Sequence, residues 1–155
     1  MAKTVVIGYD GSADAKRAVE AAAELLGADA VVVAHGWQLP IAVPDGIGGF
    51  AVPTAPAVDQ RDDYELQAHG LAREGADRAR RAGVDVTVEV RQADGAHEIA
   101  RALIEIAAAR DAAAIVVGRR GMSRLESIVM GSVSEALVRD AQVPVLVVPL
   151  ADDGA

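Results

Sequence analysis

The sequence predicts an α/β fold of the doubly wound, Rossmann-like kind: one five-stranded parallel sheet, order 3-2-1-4-5, with about four helices. Three observations predict it. Short runs rich in Val and Ile alternate with stretches of helical period along the chain. Strand–helix–strand alternation joins parallel strands through right-handed crossovers. And 155 residues, 52% of them apolar, are enough for one hydrophobic core. Aromatics make up only 3%, so that core must be built from Ala, Val, Leu and Ile.

The elements follow in order. "TVVIGYD" reads as a buried first strand. Ser12 can cap a helix whose apolar face is Ala15, Ala18, Val19, Ala22, Leu25 and Leu26, with Gly27 to close it. "AVVVAH" (30–35) is the second strand, ended by His35. Residues 38–60 hold Pro40, Pro44, Pro53 and Pro56 with Gly46, Gly48 and Gly49, and read as a surface loop. A second helix follows with a weak apolar face (Tyr64, Leu71, Ala72, Ala76, Ala79), interrupted by Gly70 and Gly75. "VDVTVEVRQ" alternates Val84, Val86, Val88 and Val90 with polar residues, as a third strand should. Ile99, Leu103, Ile106 and Ala107 stripe the third helix. "AAAIVVG" is the fourth strand, 132–140 the fourth helix and "VPVLVVP" the fifth strand. Residues 1–150 form one domain and 151–155 a tail.

Bulk properties exclude several classes. A net charge of −8 argues against a general nucleic-acid binder, which would need a basic face. No run approaches eighteen apolar residues, so no membrane partner is expected. Without cysteine there is no disulfide, thiolate nucleophile or Cys-ligated metal. His35, His69 and His97 lack ligand spacing, so no metal site is assigned. The opening "MAKTVVIGYDGS" lacks the apolar core and cleavage site of a signal peptide, and a cytoplasmic location is expected.

In such a sheet ligands bind beyond the carboxyl ends of the strands where the order reverses, here between strands 1 and 4. "GYDGS" and "GRRG" fall there. Gly118 and Gly121 would let the backbone approach a phosphate, and Gly131 would do so again where a helix begins. That helix aims free N–H groups and its positive dipole end at the same space. The hydroxyls of Ser132 and Ser134 can add donors. Three arginines (Arg119, Arg120, Arg124) against one acid (Glu126) make 118–134 locally basic. Taken singly, each feature also has a structural use. Gly118 can end a strand, Gly131 can precede a helix, and Ser132 with Glu135 can form a capping box. Asp10 can form a turn before the first helix, and Arg119 and Arg120 can point to solvent or hold phosphate charge.

The spacing is G-x2-G-x9-G-[ST], from Gly118 through Gly121 to Gly131 and Ser132. It resembles the nucleotide-binding signature of the universal stress protein family. "VVIGYDGS", "VVVAHGW", "AAIVVGRRG", "MGSVSEALV" and "VPVLVVP" extend that resemblance over the chain apart from 38–60 and the tail. It implies an ATP-binding member. Asp10 would contact the nucleoside, Gly8, Tyr9 and Gly36 would line the adenine pocket, and Val117 would face the nucleoside. Gly118, Gly121, Gly131, Ser132, Val133 and Ser134 would hold ribose and phosphates, with a divalent cation able to accompany them.

The nucleotide would act as a conformational signal in a stress response. Alternatives are a slow ATP hydrolase, an AMP or cyclic AMP binder, and a nucleotide-free protein-interaction module. No catalytic residue is assigned, because Asp10 is the evident carboxylate at the pocket and fast hydrolysis needs a positioned base and usually a metal. A phosphoacceptor domain would need a lysine after the last strand, which "VPVLVVPLADDGA" lacks. The last strand is apolar on both faces yet falls at a sheet edge, a place that must be paired or covered. The resemblance implies a homodimer paired through Val143 to Val148.

Overall fold

Alternation along the strands builds the molecule in three layers. The computed structural model describes residues 2–39, 58–119 and 130–149. Its elements are β1 (Thr4–Gly8), α1 (Ala13–Glu24), β2 (Ala30–Trp37), α2 (Val58–Arg81), β3 (Asp85–Gln92), α3 (Ala96–Ala109), β4 (Ala114–Gly118), α4 (Ser132–Asp140) and β5 (Val145–Val148). All the strands pair in parallel, in the order β3-β2-β1-β4-β5. Successive side chains point to opposite faces. Val5, Ile7, Val31, Val33 and Val116 therefore meet Ala18, Ala22 and Ala76 of α1 and α2. Val6, Val32, Ile115 and Val117 meet Leu103, Ile106 and Leu137 of α3 and α4. Burying one such Val, Ile or Leu contributes roughly 1.5–3 kcal/mol, and small alanines on the helices let the layers come close. Among the described residues no helix is long and apolar enough to cross a membrane.

Ser12 caps α1 as its sequence position implies, its Oγ accepting from the Ala15 amide at 3.2 Å. Leu25 departs from expectation. It is the C-cap of α1 and 71% exposed, because the helix ends one residue earlier and Leu26 alone turns back to the core. The two glycines of α2 do not break it. Gly75 is required: a Cβ there would stand 2.8 Å from Cγ of Tyr9 and 3.0 Å from Cγ1 of Val33, so α2 lies directly on the Tyr9 ring. β2 runs two residues past His35, to Trp37, which leaves His35 inside a strand rather than at its end. Most of the 38–60 loop and the 151–155 tail lie outside the described residues.

A candidate nucleotide site at the carboxyl ends of β1, β2 and β4

Register brings the strand ends level. Gly8 pairs with Ala34 of β2 and Val117 of β4, while Gly118 pairs with Val148. Beyond them opens a cavity of about 680 Å³, within the size range of small-ligand sites. Gly8, Tyr9, Asp10, Gly36, Val117, Gly118, Gly131, Ser132, Val133 and Ser134 all line it. Gly121 lies outside the described residues, as do Arg120, Arg124 and Glu126.

At the β1–β2 end the polar side chains lining the cavity include Asp10 and His35. Asp10 follows β1 and its Oδ1 accepts the Ser12 amide at 2.9 Å, so it forms the turn before α1 and also lines the cavity. The Tyr9 amide donates to Ala34 O at 2.8 Å, and the Tyr9 carbonyl accepts from His35 Nδ1 at 2.7 Å. Burial, opposed by the Tyr9 bond and the Asp10 charge, holds the His35 pKa below its ordinary 6.5. The Tyr9 hydroxyl reaches under α2 to donate to Glu74 Oε1 at 2.8 Å. Burial first, then that bond, push its pKa up to about 12.

The β4–α4 end is built from donors. Gly131, not Ser132, is the N-cap of α4, with φ −72°, ψ 157° and no side-chain cap bond. The alternative use of Ser132 with Glu135 as a capping box is therefore not the one the fold adopts. The helix begins one residue earlier than a serine cap needs, and Ser132 is exposed as its first residue. Glu135 N bonds Gly131 O at 2.9 Å, which leaves the amides of Ser132, Val133 and Ser134 without intrahelical acceptors. The Arg119 main chain clasps this end: its amide donates to Val148 O at 2.8 Å and its carbonyl accepts Gly131 N at 2.7 Å. Ser134 is buried, and its Oγ donates to Arg119 O at 3.1 Å and Gly131 O at 2.8 Å, so its hydroxyl holds the backbone clasp together. Arg119 lines the cavity too, and its buried Nε finds no hydrogen-bond partner among the described residues.

Gly118 has a use that the spacing did not reveal. A Cβ there would lie 2.6 Å from Asp14 Cβ, 2.8 Å from the Asp14 carbonyl carbon and 2.9 Å from Ala15 N. Its bareness admits the first turn of α1, independently of any ligand. Sequence reasoning also missed His35, Gln38, Gly95 and Ile99, which all line the cavity. The switch-point rule pointed between strands 1 and 4, and β2 runs on past His35, so the side chains at its end gave no local signal. "ADG" at 93–95, after β3, has the composition of a turn. Gly95 does adopt φ +95° as the N-cap of α3, and it also forms cavity wall. Among the described residues no three acidic or histidine side chains gather where they could hold a metal ion.

Comparison with known proteins agrees with this architecture. The model of the universal stress protein family matches residues 1–149. A universal stress protein of Mycobacterium tuberculosis is 34% identical over 152 residues, covering 94% of this chain and 95% of its own. A solved universal stress protein in complex with cAMP superposes with a TM-score of 0.65 at 25% identity, covering 97% of this chain and 98% of that one. An Arabidopsis thaliana family member with AMP bound shares the fold, with a TM-score of 0.66 at 17% identity over 97% and 94% of the two chains. The chain belongs to the universal stress protein family.

Proposed function

We propose that this chain is an adenine-nucleotide-binding universal stress protein, with ATP as its ligand and the bound nucleotide as a signal to protein partners. The observation that carries the reading is the polarity of this cavity. The first amides of α4, which have no intrahelical acceptor, the Ser132 hydroxyl and Arg119 stand at one end, while Asp10 and His35 stand at the other. Amides at a helix N-terminus favour an anion. A carboxylate favours hydroxyl or amino donors. Phosphate at α4 and nucleoside at β1–β2 satisfy both. Gly8, Tyr9, Asp10, Gly36 and Val117 are then nucleoside residues, and Gly118, Gly121, Gly131, Ser132, Val133 and Ser134 belong to the phosphate end. A divalent cation would accompany the phosphates. No residue is assigned to catalysis, and hydrolysis, where it occurs, is slow. Edge pairing of β5 across a two-fold axis would make the homodimer, in the cytoplasm.

One observation favours a second reading, cyclic AMP, because the solved relative at 25% identity is in complex with cAMP. Calorimetric titration of ATP, AMP and cyclic AMP, with mass spectrometry of any ligand released from purified protein, tests both. Micromolar or tighter ATP binding is expected. A preference for cyclic AMP would select the second reading, and no binding of any of the three would overturn both.

A further inference from the structure

We propose that the imidazole of His35 reads the base, its Nε2 accepting an amino group so that the site prefers adenine to hypoxanthine. The inference rests on the adenine-nucleotide reading and adds to it the atom that chooses the base. His35 lines the cavity, and its Nδ1 lies 2.7 Å from the Tyr9 carbonyl oxygen. A carbonyl oxygen only accepts, so Nδ1 carries the proton. Nε2 makes no hydrogen bond among the described residues, and the His35 side chain is half-buried at the cavity wall. Burial favours the uncharged ring. With Nδ1 protonated and the ring uncharged, Nε2 presents a lone pair.

Position identifies what it meets. From the anion end the cavity crosses the sheet in the order β4, β1, β2, in steps of about 4.8 Å. A nucleotide runs in the order phosphate, sugar, base. With phosphate at α4 and β4, the sugar falls at Asp10 after β1 and the base at His35 on β2. Adenine offers an amino group there. Hypoxanthine, the base of ITP, offers a carbonyl, and two acceptors then face each other.

The test compares ATP with ITP on the whole protein. Wild type should bind ITP about ten- to a hundredfold more weakly than ATP, the worth of a lost hydrogen bond with an acceptor left unpaired. His35→Asn places an amide nitrogen where Nδ1 stands, keeps the Tyr9 bond, and leaves nothing in place of Nε2. It should bring the two affinities together. A second readout needs no variant: in the nitrogen NMR spectrum of wild type, ATP should shift the unprotonated Nε2 resonance and ITP should not. ATP binding with no ITP discrimination in wild type, with the same discrimination in His35→Asn, or with Nε2 protonated in the ATP complex overturns this inference alone. Failure of ATP, AMP and cyclic AMP alike to bind overturns the site reading and this inference with it.

Discussion

The end of β4 and the start of α4 carry glycines of one spaced motif, and the fold uses them differently. Gly118 is bare because the first turn of α1 occupies the space its side chain would fill. Gly131 has an ordinary extended backbone, φ −72° and ψ 157°, that other residues adopt readily, so its own conformation does not demand glycine. A spacing pattern thus merges two pressures, helix packing and ligand approach. Only coordinates separate them. The serines beyond Gly131 divide in the same way: Ser134 is buried and spends its hydroxyl on the backbone, while Ser132 is exposed and free of any capping duty.

The largest expected effect breaks the glycine comparison. Gly118→Val should cost about 3 kcal/mol or more, since it presses a branched side chain into helix backbone. Urea unfolding reads it, and a loss below about 1 kcal/mol would show that α1 has room to move. Gly131→Val should instead leave stability within about 1 kcal/mol while ATP affinity collapses. Ser132→Ala should weaken ATP binding by about ten- to a hundredfold, or 1.5–3 kcal/mol, with an unchanged melting temperature. Unchanged affinity for ATP, ADP and AMP in both folded variants would remove the phosphate role from this end of the cavity.

A smaller effect contrasts two helix starts. Ser12→Ala removes a real cap and should cost about 1 kcal/mol of stability, whereas Ser132→Ala should cost almost none. Equal melting losses would mean that Ser132 caps α4 in solution. The smallest effect concerns pH. His35 has a folded pKa below its ordinary 6.5, so just below that pH the unfolded chain holds a proton that the folded one lacks. Stability should therefore fall as pH drops through about 6.5, and be level on this account above it. His35→Asn should lose that slope, which unfolding at stepped pH would show.

The architecture was legible because β-branched runs and helical stripes are local, periodic signals, and the topology rule turned them into a strand order. The anion end was legible for a similar reason: glycine spacing and a helix start are both properties of short stretches. What stayed hidden depends on contacts distant in sequence. Gly75 looked like a helix breaker because nothing near it reveals the Tyr9 ring it accommodates. Leu25 and Leu26 share a hydropathy, and only the point where α1 stops decides which one is buried. His35 joined the cavity wall because β2 continues beyond it and Tyr9, twenty-six positions earlier, offers it a carbonyl.

The chain contains a single tryptophan, Trp37, at the last position of β2. It is only 9% exposed, and both its chain neighbours, Gly36 and Gln38, form cavity wall. All indole emission therefore comes from one dry position beside the pocket, with no second fluorophore of its kind to dilute the signal. The folded protein should emit towards the blue, and unfolding should shift that emission to the red. A change in emission while the fold stays intact would report on the end of β2. The molecule thus carries its own optical probe of the nucleoside end, which needs no label.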